Sequence, residues 1–225
     1  SAGEENYIAA GQEAHLAGTS AKPSIRALLH ERNFWGIALP RFLADPTWGT
    51  LTSWLPLYFA TVRGFNLAEI GLTVWMPFLA ADVGCFAGGV IAAFLQRRGV
   101  GLINARRGAF TVGATLMIGV AFVGFVQNPY AALALLCLAG FAHQTLSVTV
   151  ITMSSDLFPR HEVATVAGMA GTFGNAGILV FNLVIGVLVA TVGYTPFFVG
   201  LAALDLLGAV ILWTVVRNPV RVTTA

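Results

Sequence analysis

A chain of 225 residues in which 57% are hydrophobic and only 10% charged has too few polar side chains to cover a soluble globule, where about a quarter of positions are charged. The net charge of +2 says little by itself and points to no nucleic-acid partner. The two cysteines, Cys85 and Cys137, imply neither a disulfide framework nor a metal site.

The first 23 residues, acidic and rich in small side chains, lack the basic region and apolar core of a signal peptide. They are expected to be a cytoplasmic linker, the end of a longer loop. Residues 24–33, with Leu28 and Leu29 among Arg26, His30 and Arg32, suit a short helix lying at the membrane surface. Six apolar runs follow, each near the roughly 20 residues that cross a bilayer: Phe34 to Phe59, Ile70 to Leu95, Gly108 to Val126, Tyr130 to Met153, Val163 to Ala190 and Pro196 to Val216. They do not alternate as the strands of a membrane β-barrel do, so the expected class is an all-α membrane protein. It comprises a six-helix transmembrane domain over 34–217 and a cytoplasmic tail over 218–225. Pro40, Pro46 and Pro56 predict a first span that is kinked or broken.

Loop cations give the orientation. With six spans both termini share a side, and that side carries Lys22, Arg26, Arg32, Arg97, Arg98, Arg106, Arg107, Arg160, Arg217 and Arg221, against Arg63 alone on the other. Positive charge marks the cytoplasmic side. The connections are short, hold no phosphate loop, metal-binding His/Glu motif or nucleophile elbow, and leave no room for a soluble catalytic domain. An enzyme is therefore not expected, nor is a cofactor or a metal.

Polar residues inside spans mark function, because each charge there costs at least about 2.5 kcal/mol. Arg41 and Asp45 stand four residues apart on one face, a structural ion pair at the kink or a direct substrate contact. Trp48 and Thr52 continue that face. Asp82 has no cation at helical spacing and needs a partner on another helix or in a watery cavity. In the fourth span Gly140, His143, Gln144, Ser147 and Ser154 form a stripe suited to a cavity wall. In the fifth, Gly168, Gly171, Thr172, Asn175, Asn182 and Gly186 share a face, the glycines for close packing and Asn175 as a ligand candidate. Asp205, alone in the sixth span, is expected to be interfacial or paired with another helix.

That distribution over spans one, two, four and five resembles the major facilitator superfamily, in which a six-helix half consists of two three-helix inverted repeats around a cavity. The segments ERNFWGIALPRFLADPTW, WLPLYFATVRGFNLAEIGL, FLAADVGCFAGG, FAHQ and SSDLFP resemble the carboxy-terminal half of hexuronate and sugar-acid transporters in the anion:cation symporter family. The resemblance implies helices seven to twelve of a proton-coupled symporter for a small organic anion, working by alternating access in a bacterial inner membrane together with an amino-terminal six-helix half that this sequence does not include. It places Trp48, His143, Gln144 and Asn175 at substrate. Arg41, Asp45, Asp82, Arg97, Arg98 and Asp156 serve as gating or structural charges. Departures bear on the substrate: Gly49 and Leu51 stand where hexuronate transporters usually have Trp and Tyr, Leu146 and Thr149 where Trp and Asn are common, and Ala93 where the superfamily's inner-loop signature has Asp. A different reading is a truncated or partner-dependent module without transport of its own; a channel or sensor would need charge rings or a signalling domain, and neither is visible.

Overall fold

A computed structural model describes Gly3 and residues 24–217; the expected linker and the tail from residue 218 lie outside the described residues, apart from Gly3. Among the described residues the chain is helical and contains no strand. Helix α1 (Ile25–His30) begins where Ser24 accepts a hydrogen bond from the Ala27 amide, and its Leu28 is buried. The expected first span is divided into α2 (Arg32–Ala44), α3 (Pro46–Ser53) and α4 (Leu55–Thr61). The breaks fall just before Pro46 and Pro56, each of which removes a donor from the helical ladder, whereas Pro40 is accommodated inside α2. The second run is likewise interrupted ahead of Pro77, giving α5 (Leu67–Thr73) and α6 (Met76–Arg97). A reciprocal capping box between Asn66 and Glu69 starts α5.

The third run starts earlier than expected: α7 (Leu102–Leu116) includes Arg106 and Arg107, and it tightens into a 3-10 turn over Met117–Phe122. At their different rises the two pieces extend about 34 Å, enough for a hydrocarbon core. Helix α8 (Pro129–Leu157) is capped by the Asn128 side chain, α9 (Arg160–Val192) ends at Gly193 with φ +72°, and α10 (Thr195–Val215) closes the described chain. Among the described residues four segments are long and apolar enough to cross a membrane as helices: Leu67–Arg97, taking α5 and α6 together, Pro129–Leu157, Arg160–Val192 and Thr195–Val215. The first and third expected spans do not qualify as single helices, because proline breaks and the change of helix type shorten them.

Helix α8 is the centre of the bundle. In its most apolar stretch 56% of the residues are buried, against 11% for α9, and it packs on α6 and α7. Close approach to α6 depends on glycines on both sides: a Cβ on Gly84 would collide with the Phe141 carbonyl, and one on Gly140 with the Pro77 carbonyl. Outward residues such as Phe86, Val90, Leu183 and Val187 are apolar and exposed, as a face turned to lipid requires.

One end of the bundle collects the cations. Arg32 donates from Nε to the Val215 carbonyl (2.8 Å) and from Nη2 to that of Thr214 (2.7 Å). Arg107 donates to the Val216 carbonyl and to Asn104 Oδ1, and the Asn33 side chain accepts from the Arg217 amide. The last carbonyls of α10, which have no partner within the helix, are thus held by the start of α2 and by α7. Arg106 pairs with Asp156 at 2.9 Å, with side chains 19% and 15% exposed. Replacing either by Ala is expected to lower stability by about 1.5–3 kcal/mol, the worth of a hydrogen bond between charged and largely buried groups. A thermal melt of the detergent-solubilised protein checks this, and a far larger loss would mean the pair holds α7 to α8 more tightly than its exposure allows.

Candidate functional site

The break between α2 and α3 determines which side chains reach the middle of the bundle. Asp45 is the joint, Arg41 precedes it by one turn and Trp48 follows in the first turn of α3. The joint rests on α9, where Gly177 lies against the Phe42 carbonyl and Gly174 against the Asp45 carboxylate. Pro46 has no N–H to offer Phe42, so this carbonyl is free to take a weak Cα–H contact from the glycine backbone. These are the packing glycines of α9. Gly168, expected to pack, has nothing near a Cβ position, and Gly186 meets only the Trp54 ring at 3.7 Å.

A cavity of about 340 Å³ opens between the joint, α8 and α9. Arg41, Asp45 and Trp48 form one wall, His143, Gln144 and Ser147 with Ile151 a second, and Asn175 with Ile178 the third. The four residues assigned to substrate from sequence, Trp48, His143, Gln144 and Asn175, are therefore brought together. Trp48 stacks on the His143 ring with centroids 6.0 Å apart and planes 18° from parallel, and meets Phe78 edge-on at 5.6 Å. His143 is 2% exposed and its Nδ1 has no partner. Asn175 donates Nδ2 to the Gly171 carbonyl at 2.9 Å, which leaves its carbonyl oxygen directed away from the helix backbone.

Arg41 and Asp45 pair at 3.1 Å through Nη2 alone, with side chains 16% and 10% exposed, and Arg41 Nε is buried without a partner. The guanidinium fork is thus only partly engaged by Asp45, though a fork can bind a carboxylate bidentately. Both residues line the cavity, so the pair braces the joint and faces the space at once. The wall offers a cation, a carboxylate, two amides, an imidazole and an indole platform, a set able to orient a polar anion with hydroxyl groups.

Several expected members lie elsewhere. Asp82 is exposed on the outer face of α6 beside Val83 and Phe86, away from the cavity. Arg97 and Arg98 end α6, the latter over the Phe94 ring at 5.0 Å, and Asp156 pairs with Arg106 rather than with either of them. Gly140 and Ser154 turn from the cavity into helix packing. Thr52 is exposed and donates back to the Trp48 carbonyl, and the Asn182 amide oxygen accepts from Trp54 Nε1 at 3.0 Å. Asp205 is fully buried against Thr47 of α3, so of the two placements expected for it the structure shows the pairing with another helix and not the interfacial one. Sequence reasoning missed Phe78 and the pair Gly174 and Gly177; the spacing of the two glycines on one helical face was the available signal.

Comparison with known proteins agrees with this architecture. Residues 100–225 match the sequence profile of the Major Facilitator Superfamily. The Hexuronate transporter of Escherichia coli (strain K12) is 50% identical over 224 residues, covering 99% of this chain and 52% of that protein. The Galacturonate transporter of Dickeya chrysanthemi is 47% identical over 144 residues, 63% of this chain and 41% of that protein. The D-galactonate transporter of Escherichia coli O6:H1 is 29% identical over 182 residues, 81% and 42% respectively. The chain spans about half the length of the curated relatives it matches.

Proposed function

The chain belongs to the major facilitator superfamily, and from that premise we propose that it forms the carboxy-terminal six-helix half, two inverted three-helix repeats, of a secondary active transporter for a sugar acid of the hexuronate kind. Protons drive uptake, and the half rocks against an amino-terminal six-helix partner in a bacterial inner membrane, with both ends of the chain cytoplasmic. In this reading residues 1–23 end a central cytoplasmic loop and 218–225 form a cytoplasmic tail, while the surface helix expected over 24–33 is confined to Ile25–His30 because Arg32 already begins the next helix. The observation that carries the reading is the cavity in which Trp48, His143, Gln144 and Asn175 converge beside the Arg41–Asp45 pair. Relatives whose names are those of sugar-acid transporters support the substrate class.

Trp48 supplies an apolar face for sugar C–H groups, while the Gln144 and Asn175 amides exchange hydrogen bonds with hydroxyls. Arg41 lends positive charge, and Asp45 holds it when the site is empty. Asp82, Arg97 and Arg98 remain assigned as gating or structural charges, and Asp156 to anchoring the inner loop through Arg106. In the complete transporter, Gln144→Ala and Asn175→Ala are each expected to raise the KM for hexuronate uptake about tenfold, the worth of one well-placed hydrogen bond, with unchanged membrane abundance. Unaltered uptake in both variants removes the site assignment. The partner-dependent module is separated by measuring uptake with the 225-residue chain alone, where this reading expects none until an amino-terminal half is supplied.

A further inference from the structure

Helix α10 turns a stripe of Leu201, Asp205, Gly208 and Leu212 inward, at offsets of four, seven and eleven. Three are what a packed helix needs, and Gly208 admits Pro40 of α2, whose Cα lies 3.6 Å from a Cβ position there. Asp205 is the exception. It is 0% exposed, forms no ion pair among the described residues, and keeps Oδ1 without a partner. Its other oxygen faces Thr47 Oγ1 across a long 3.4 Å contact, in which the hydroxyl donates.

Thr47 connects this carboxyl to the cavity. Successive helical residues turn by about 100°, so Asp45 and Trp48 share one side of the joint while Thr47 points to the opposite side. Asp45 and Trp48 face the cavity, and Thr47, 1% exposed, faces α10. A leucine at 205 and a valine at 47 would be expected to pack at least as stably, since replacing a whole buried polar pair by apolar groups is often neutral or stabilising. An apolar contact, however, tolerates sliding, whereas a hydroxyl and a carboxyl that slip past one another are both left unpaired. Fixing register is the best-attested use of an isolated buried polar group.

We propose that Asp205 is a positioning residue: through Thr47 it pins the joint at Asp45–Pro46 against the last helix, in the register that turns Arg41 and Trp48 into the cavity. The pin acts from behind the wall and touches no substrate. Its consequence for transport rests on the function proposed above; its consequence for the joint does not.

The test uses the complete transporter with Thr47→Val, Asp205→Leu, their combination, and Asp205→Asn, which retains an acceptor oxygen for Thr47. Melting temperature is expected to stay level or rise in the combined variant. Amide exchange over residues 46–53 should quicken about tenfold in Thr47→Val and Asp205→Leu, and the substrate KM should rise by a similar factor, as the loss of one hydrogen bond gives. Asp205→Asn should match the unaltered protein in both. Should Asp205→Leu fail to fold, Thr47→Val decides by the same readouts. Unchanged exchange in the apolar variants overturns the proposal, as does an Asn variant as impaired as the Leu variant, which would make the proton or charge the needed feature. A transporter that carries no sugar acid would defeat the function proposed above, while exchange would still decide the pin.

Discussion

Asp45→Ala is expected to lower stability by about 3–5 kcal/mol, the cost of stripping one partner from a buried ion pair. Arg41 would be left within a span with no carboxylate, its Nε already unpartnered, and an unpaired charge at that depth is expensive on any scale. The decisive comparison is Arg41→Met with Asp45→Leu. Removing both charges should restore the melting temperature to near the starting value, because apolar groups of similar volume replace a pair that had to be desolvated. Uptake should stay abolished in the double variant if the pair also serves the anion. A double variant that melts as early as Asp45→Ala would show that the stranded Arg41 charge is not what destabilises the single variant.

Gly177→Val should prevent recovery of folded protein. A Cβ there would collide with the Phe42 carbonyl, a backbone atom that cannot rotate away, so the whole joint must move off α9. Overpacking ordinarily costs about 1–3 kcal/mol; a backbone clash at a helix break lies at or beyond the upper end. Gly168→Ala is the control on the same helix, where nothing lies near the added methyl and the gain in helix propensity is up to about 1 kcal/mol. Size-exclusion profiles and melts of the two variants check the contrast. Similar behaviour of both would mean that α9 does not rest on the joint.

The legible parts of the site are those within one helix. Arg41 and Asp45 are four residues apart, and their pairing follows from helical geometry alone. His143, Gln144 and Ser147 share a face for the same reason. Asn175 and Asn182 also share a face, yet only Asn175 lines the cavity, because Trp54 on the broken first span reaches Asn182. Gly168, Gly174 and Gly177 look alike in sequence, and what separates them is where the Asp45 joint touches α9. Prolines at 40, 46 and 56 carried equal weight as breakers, but only the joints ahead of Pro46 and Pro56 interrupt the helix.

By itself the sequence determined a helical membrane chain, the one-sided cations, and the superfamily, because hydropathy runs and motif order are written along one dimension. Tertiary structure alone decided that Trp48 stacks on His143, that Asp82 stands outside the cavity, and that Asp205 lies behind Thr47. Each depends on the angle at which one helix meets another, and at the Asp45 joint that angle is set by packing against α9 and α10, which no local pattern encodes.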